Sequence, residues 1–459
     1  MINSGKIPKR LIILFTLTIV AILTITTGFA ISVLGEIKEN KSSNDFAVMV
    51  KEDGLWAISL STLGNEIIID KDGLFKDPNI SPKGHNVAYT KDQNLYLAEV
   101  DLIQGKKQVI KISEKVLSYT WANNNDLVYS TEKGGLNGFN LGAKKSSRYI
   151  ESQDMYQGLV GDGKGTVYGD IYMHYTKNGK QFIKDKGVIS YELELGKEKI
   201  IVPSRPSSED INGIADMGLM PTVAGISKDG AYVYIWAKVH SASTNSDGVA
   251  FGVYDAKNNK FTTFNKEVIF ALAYKDNLAI NPLDGRLPVL NNGGARDMNI
   301  NKTLGQVDVT SGSFTNILPE SMIATSKEPY GLTAKGMVTM TPAFSPDGKK
   351  VIFAASKARE NMQQWTNDPH NIYTVELGTK KVEKITKGNS FDFAPNYISK
   401  GRAIVFARRI GDDISLWRLQ DNKEELIAKG MKYYDANYYI WYYGHYKLES
   451  ILDIHISEE

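Results

Sequence analysis

Short runs of β-branched and aromatic residues, separated by turn residues, recur along most of the chain. The sharpest copy is Ala343–Phe353, where Ser-Pro-Asp-Gly precedes the apolar run Val351–Phe353. Proline presets φ, aspartate and glycine supply turn geometry, and the residues after the turn favour a strand. Two more such runs, Asn371–Leu377 and Val382–Ile385, follow. The segment therefore predicts four short antiparallel strands, which is one blade of a β-propeller.

Copies of this unit occur through the chain, because a single blade cannot bury both its faces. The turn recurs at Ser81–Gly84, Ser227–Gly230 and, shortened, Ser399–Gly401. The third strand recurs eight times, at Leu55–Ile58, Leu95–Ala98, Leu136–Leu141, Val188–Leu193, Val249–Tyr254, Leu304–Val307, Ile372–Val375 and Leu416–Leu419. We predict an all-β protein, a propeller of eight four-stranded blades, with seven blades as the alternative.

The sharpest copy also carries a family resemblance. Ala343–Phe353 (A-F-S-P-D-G-K-K-V-I-F) resembles the repeat of TolB-like (PD40-type) β-propellers, which place an aromatic residue, S-P-D-G-[KR] and an apolar strand in succession. The resemblance covers most of Phe46–Ile456 as architecture and implies the propeller fold. It implies no activity, because propellers carry many unrelated functions.

The N-terminus predicts a membrane anchor. Residues 1–10 are short and basic, and Leu11–Leu34 contains no charge. This run is long enough to span a bilayer, whereas the core of a signal peptide is shorter. Lys6, Lys9 and Arg10 place the N-terminus in the cytoplasm. Residues 35–45 would then be a tether and residues 46–459 an extracytoplasmic propeller, secreted if Gly28–Ala30 directs cleavage.

The two ends of the propeller are expected to meet. The first blade is predicted to lack its first strand and to place its last three at Phe46–Val50, Gly54–Leu60 and Glu66–Asp70. Tyr433–Tyr443 is strongly β-prone, and we predict that it pairs with Phe46–Val50 and closes the ring. The remaining tail, Leu448–Ile456, has no assigned place.

Composition narrows the classes of function. The formal net charge is +2, no basic cluster with interleaved aromatics occurs, and no cysteine is present. The charge pattern argues against nucleic-acid binding. The missing cysteines exclude disulfides, thiolate metal sites and a cysteine nucleophile. No cofactor is expected.

Long insertions point to one face of the disc. In a four-stranded antiparallel blade the loops after the second and fourth strands share a face, which we call the long-loop face, and the other turns share the short-turn face. The long segments that we assign to the long-loop face are Asp170–Gly187, Pro203–Met220, Lys238–Gly248, Asn281–Lys302, Pro319–Thr339 and Ser356–His370. Loops on a rigid scaffold commonly carry binding residues.

The candidate ligand-binding residues lie in these loops or at their edges. They are His174, Arg205, His240, Arg286, Arg296, Arg359, Trp365, His370 and Arg408. Arginine forks bind carboxylate or phosphate, and an exposed tryptophan stacks on a peptide or a sugar ring. The histidines belong to different blades and lack a local pairing motif, so we expect exposed loop histidines and no metal site.

The sequence favours binding over catalysis. No G-x-S-x-G elbow is present, and no catalytic residue is assigned. We expect the long-loop face to bind a protein, a peptide or an envelope polymer without turnover. The alternatives are a propeller-fold glycoside hydrolase or lyase acting on a polysaccharide, and a structural scaffold of a membrane complex.

Overall fold

The computed structural model describes residues 45–209, 215–241, 248–293, 302–324, 335–359, 365, 367–432 and 446–457. The predicted span Leu11–Leu34 lies outside these ranges. Within them, no helix is both long enough and apolar enough to cross a bilayer.

In the described residues, eight antiparallel sheets form the blades of a propeller, as the eight-blade interpretation predicts. Each has the four strands of a blade, and one sheet carries a fifth short strand. We number the blades from the N-terminus and letter their strands a to d from the central axis outward. Blade 1 contains β1 (Phe46–Lys51), β2 (Gly54–Ser59) and β3 (Glu66–Asp70), and blade 2 contains β4 (Phe75–Ile80), β5 (Asn86–Lys91), β6 (Asn94–Asp101) and β7 (Lys106–Ser113). Blade 3 contains β8 (Val116–Trp121), β9 (Asp126–Thr131), β10 (Leu136–Asn140) and β11 (Lys145–Ile150). Blade 4 contains β12 (Met155–Gly161), β13 (Thr166–Lys177), β14 (Lys180–Glu192) and β15 (Lys197–Pro203).

A two-stranded ribbon, β16 (Ser208–Glu209) with β17 (Ala215–Asp216), lies between blades 4 and 5 along the chain. Blade 5 contains β18 (Met220–Ile226), β19 (Tyr232–Lys238), β20 (Val249–Asp255) and β21 (Lys260–Thr263), and the short strand β22 (Phe270–Ala271) also pairs with β20. Blade 6 contains β23 (Leu278–Ala279), β24 (Val289–Asn292), β25 (Thr303–Asp308) and β26 (Ser313–Asn316), and blade 7 contains β27 (Met337–Phe344), β28 (Lys350–Lys357), β29 (Asn371–Glu376) and β30 (Val382–Lys384). Blade 8 contains β31 (Phe391–Ile398), β32 (Ala403–Ile410), β33 (Asp413–Gln420) and β34 (Lys423–Ala428). The last strand, β35 (Leu452–His455), belongs to blade 1, and short 3-10 turns lie at Lys275–Asn277, Glu320–Met322, Ser399–Gly401 and Leu448–Ser450.

The repeated turn owes its shape to its serine. In Ser345–Gly348 the Ser345 hydroxyl accepts a hydrogen bond from the Lys350 N–H at 2.9 Å and donates one to Asp347 at 2.6 Å. Gly348 has φ +66°, which a residue with a side chain rarely adopts. Ser227 makes the same pair of contacts with Tyr232 and Asp229. The motif thus fixes the a–b hairpin by local hydrogen bonds.

Adjacent blades are joined near the axis by side-chain acceptors. Strand a of blade 8 bulges at Ala394, which has φ +49°, and its free N–H donates to the Thr341 hydroxyl of blade 7 at 3.0 Å. The Leu159 N–H donates to Ser118 in the same way at 3.0 Å. These contacts satisfy backbone groups that the bulges leave out of the ladder.

The ring closes through its two ends, but with a different strand from the predicted one. β35 pairs antiparallel with β1, with Phe46 opposite His455 and Met49 opposite Leu452. Leu452–His455 therefore holds the position predicted for Tyr433–Tyr443, a segment that lies outside the described residues. Asp45 reinforces the junction by accepting hydrogen bonds from the Ser399 N–H at 2.5 Å and the Ser457 N–H at 2.8 Å.

Two of the predicted long-loop segments have a different structure. Asp170–Gly187 is not a loop, because β13 and β14 continue through it as a hairpin. Asn281–Lys302 is divided by strand β24, so that residues 280–288 form an a–b connection on the short-turn face. Arg286 consequently lies on the face opposite to the one predicted. Strand β24 (Val-Leu-Asn-Asn) is only four residues long and carries no alternation that separates it from a loop.

Candidate functional site on the long-loop face

The most prominent feature of the long-loop face is the hairpin of blade 4. β12 pairs with β13 only as far as Met155 opposite Tyr172, and β15 pairs with β14 only from Gly187 onward. Beyond those points the hairpin continues to Lys177 opposite Lys180, and in the described part of the chain no further strand pairs with either of its edges. Asn178 and Gly179 form its turn with φ +52° and +71°, the left-handed pair that a two-residue hairpin requires.

The hairpin presents aromatic rings to solvent. Tyr175 and Phe182 are directly opposite each other and stack, with ring centroids 5.5 Å apart. Each is 40% exposed, and Ile183 on the other side of the ribbon is 65% exposed. His174 lies opposite Ile183 and is also exposed. Exposed apolar side chains at a projecting position are common features of binding surfaces.

Next to the hairpin, the structure brings together two of the predicted binding residues. Arg205 and Leu219 exchange backbone hydrogen bonds of 2.9 and 2.8 Å, and the Arg205 guanidinium forms an ion pair with Asp216. A ring nitrogen of His240 lies 3.0 Å from the Arg205 carbonyl oxygen. Arg205 lowers the pKa of Asp216 by donating to its carboxylate.

A buried group of ionisable residues lies at the base of the hairpin. Asp170 accepts hydrogen bonds from the Thr222 hydroxyl at 3.0 Å and the Val223 N–H at 3.1 Å, both in strand a of blade 5. Burial raises the pKa of Asp170 to about 7, although these two donors and Lys238 oppose the shift. Burial also raises the pKa of Asp185 and lowers that of Lys238. Asp170 thus links blade 4 to blade 5 through hydrogen bonds.

His370 and Trp365 are not exposed, contrary to expectation. Both are fully buried, and the His370 ring packs 3.8 Å from Phe391 and 4.7 Å from Trp365 between ring centroids. The burial lowers the pKa of His370 to about 3, so the imidazole is neutral at physiological pH. The reason is that His370 directly precedes β29 and bridges to the first residue of β31, which places it between blades 7 and 8. Trp365 offers no stacking surface.

Arg408 is also buried, because it lies inside strand β32 rather than in a loop. Its guanidinium donates to Asp392 at 2.6 and 2.9 Å and to Glu424 at 2.7 Å. It also lies over the Phe406 and Trp417 rings at 5.1 and 4.7 Å. These contacts occupy the donors that a ligand would need, so Arg408 is part of the framework of blade 8.

The other predicted arginines are dispersed. Arg359 forms an ion pair with Asp368 at 2.5 Å and borders a shallow cavity of about 220 Å³ beside Lys357 and Tyr373. Arg286 pairs with Asp284 at 2.7 Å on the short-turn face. Arg296 lies outside the described residues.

Sequence reasoning did not identify the groups at the long-loop end of the central axis. The Tyr446 N–H donates to Asp276 at 2.8 Å, and its hydroxyl lies 2.9 Å from the Met340 sulfur. Lys302 is buried, which lowers its pKa to about 7 against the attraction of Asp276. These residues come from three distant parts of the chain, and a lone lysine before an apolar strand carries no signal. Within the described ranges, no three His, Asp or Glu side chains cluster with the geometry of a metal site.

Comparison with known proteins adds information on the fold. No family model matches the sequence, and no curated protein matches it. Dihydro-heme d1 dehydrogenase NirN in complex with DHE is 10% identical, with a TM-score of 0.50, over 86% of this chain and 75% of that one. A TolB protein from Agrobacterium tumefaciens is 12% identical, with a TM-score of 0.33, over 91% of this chain and 100% of that one.

The β-propeller domain of the Trilobed protease from Pyrococcus furiosus is 12% identical, with a TM-score of 0.40, over 80% of this chain and 100% of that one. At such identities a likeness concerns the fold alone. The chain is an eight-bladed β-propeller, and the solved structures that resemble it include TolB and other propeller proteins.

Proposed function

We propose that this protein is a membrane-anchored, extracytoplasmic β-propeller that binds a protein, a peptide or an envelope polymer on its long-loop face without turnover. The observation that supports this most directly is the hairpin of residues 173–184, which extends beyond its pairing with β12 and β15 and carries the exposed pair Tyr175 and Phe182. Keeping apolar rings in water is unfavourable, so a hairpin that exposes two of them has the character of a recognition element.

The neighbouring groups support binding rather than catalysis. Asp170 has a raised pKa, but it is buried and engaged by Thr222 and Val223 of the next blade. A catalytic acid or base must reach a substrate atom within hydrogen-bond distance. Beside the hairpin, the exposed Arg205 and Asp216 side chains neutralise each other as an ion pair.

The attachment point of the proposed anchor suits this function. Asp45 is bonded to Ser399 in an a–b turn, on the short-turn face. The described propeller therefore begins, at Asp45, on the face opposite to the proposed binding face. The anchor itself rests on Leu11–Leu34 and on the positive charges before it.

The test is capture of envelope material by the full-length protein in mild detergent. In one variant Asn-Gly replaces residues 173–184, which leaves Tyr172 paired with Asp185 across a two-residue turn. The matched control is Leu283→Ser with Arg286→Gln, two exposed side chains on the short-turn face. We expect the shortened hairpin to abolish capture and the control to retain it.

Three results would contradict the proposal. Capture that is independent of the hairpin would remove the proposed face. Fragmentation of captured polysaccharide, followed by mass spectrometry, would favour the hydrolase or lyase. A partner that copurifies at fixed stoichiometry whether or not the hairpin is present would favour the scaffold.

A further inference from the structure

We propose that the hairpin of blade 4 binds an acidic polysaccharide, with its lysines on the carboxylates and its aromatic pair against the sugar rings. This inference rests on the proposed function and names the class of its ligand. It depends on which side chains share one side of the ribbon.

The register places the lysines and the rings on the same side. Paired residues of an antiparallel ribbon point to the same side, and successive pairs alternate. The pairs Lys177–Lys180, Tyr175–Phe182 and Met173–Lys184 therefore share one side, whereas His174–Ile183 faces the other. The stacked Tyr175 and Phe182 rings agree with this assignment. Cationic groups thus lie before and after an aromatic pair along about 13 Å of ribbon, at about 3.3 Å per residue.

Among the described residues, the positive charge of this strip has no ion-pair partner. Residues 173–184 contain three lysines and no acidic residue. Lys177, Lys180 and Lys184 are exposed, and none forms an ion pair with any residue in the described part of the chain. Lys186, just below them, does pair with Asp154 at 2.6 Å. The strip is therefore complementary to an anionic ligand.

The shape of the strip selects a linear ligand. Two strands lie about 4.8 Å apart, so the side that carries the lysines is narrow. A stable protein partner buries about 800 Å² on each side, more than such a strip presents. A polysaccharide chain makes a narrow contact, and the apolar faces of its rings pack on tyrosine and phenylalanine.

The same geometry argues against a lipid surface. The outermost residues of the hairpin are Lys177–Lys180, a polar and charged turn, and the aromatic pair lies behind them. Inserting the rings into a bilayer would first carry two lysines past the headgroups, which is unfavourable. A carboxylated glycan can contact the lysines and the rings together from the side.

The experiment measures binding of the full-length protein in mild detergent to immobilised alginate, a polyuronate, with neutral dextran as the uncharged reference. One variant is Lys177→Gln with Lys180→Gln and Lys184→Gln, and a second is Tyr175→Ala with Phe182→Ala. The matched control removes three exposed short-turn-face lysines by Lys83→Gln, Lys257→Gln and Lys349→Gln. Ile183→Ser controls for the loss of an exposed apolar residue on the opposite side of the ribbon.

We expect binding to alginate and not to dextran, at least tenfold weaker in the lysine variant and severalfold weaker in the aromatic variant. Both controls should stay within about twofold of wild type, and binding should weaken with salt because exposed charges are screened. Circular dichroism and the melting temperature should not change, since the ribbon lies outside the blade. If a variant did unfold, the Asn-Gly replacement of residues 173–184 would serve in its place.

The inference fails if wild type does not bind alginate, or if the short-turn-face control loses as much affinity as the hairpin variant. An effect of the lysines without one of the aromatic pair would indicate general charge attraction and would overturn it as well. So would preferential binding to anionic phospholipid vesicles. If capture of envelope material requires the hairpin but the protein does not bind alginate, only this inference is wrong. If capture does not require the hairpin, the proposed function is wrong.

Discussion

Asp170, His370 and Arg408 are polar side chains that the fold removes from water in three different ways. Arg408 keeps its charge because Asp392 and Glu424 pair with it. His370 loses its charge, since burial lowers its pKa to about 3. Asp170 lies between these cases, with two hydrogen-bond donors and a pKa raised by burial to about 7. Each satisfies the requirement that a buried charge be paired or neutralised.

We predict that Asp170 makes stability fall as the pH rises toward 8. The folded protein holds this proton up to about pH 7, whereas the ordinary carboxyl pKa is 3.8. The unfolded state therefore binds fewer protons between these values. The contribution of Asp170 is complete below about pH 4 and is lost as the pH rises through 7. Asp170→Asn should remove this slope, worth a few kcal/mol at about 1.4 kcal/mol per pKa unit.

Chemical denaturation of wild type and Asp170→Asn at pH 5 and pH 8 checks this. The free energy of unfolding of wild type should drop relative to that of the variant between the two values. Parallel curves would show that Asp170 does not hold the proton in the folded state.

At the scale of elements, the long-loop face around blades 4 and 5 is built from strands more than from loops. The hairpin extends β13 and β14, and the segment after β15 returns as the ribbon of β16 and β17. Gly218 allows the chain after β17 to lie close to both Arg205 and His240. It has φ +72°, and an added Cβ would lie 2.4 Å from the Arg205 carbonyl oxygen. Backbone pairing in the described part of this face restricts its conformations, which limits the entropy lost on binding.

We predict that Gly218→Ala opens this segment locally. The matched control is Gly163→Ala, which has a nearly identical φ of +73° but nothing within 4 Å of the added Cβ. In both variants, placing alanine in a left-handed backbone conformation lowers the stability by about 1 kcal/mol. Only Gly218→Ala adds a steric clash, between its Cβ and the Arg205 carbonyl oxygen. Hydrogen exchange at the Arg205 and Leu219 amides should accelerate at least tenfold in Gly218→Ala alone. Equal exchange in both variants would mean that the close approach is unimportant.

At the scale of the whole molecule, the ring depends on four residues from the far end of the chain. β35 supplies strand a of blade 1, and its Asp453 carboxylate accepts the Ile80 N–H of blade 2 at 2.7 Å. This contact adds to those that blade 1 makes through Asp70 with Tyr89 of blade 2 and through Leu60 with Arg418 of blade 8. Without β35, strand β1 would expose an unpaired and almost fully buried edge.

We predict that truncation after Lys447 destabilises the protein and promotes aggregation, because it exposes the edge of β1. The free energy of unfolding should fall by several kcal/mol, since Ile451 and Leu452 also leave the core. Removal of residues 458–459 alone is the matched control and should have no effect. Size-exclusion chromatography and thermal unfolding check the outcome. A truncated protein that stays monomeric with the wild-type melting temperature would refute closure by β35.

The sequence by itself determined the all-β propeller fold and indicated eight blades over seven, because turn residues and strand periodicity act over a few neighbours. Only the tertiary structure decided which strand closes the ring and which polar residues are buried. Leu452–His455 is too short and too mixed in composition to stand out as a strand, whereas the β-prone Tyr433–Tyr443 does stand out. Ring closure at Asp45 and burial at His370 and Arg408 depend on contacts between separate blades or strands. Local patterns cannot encode those contacts.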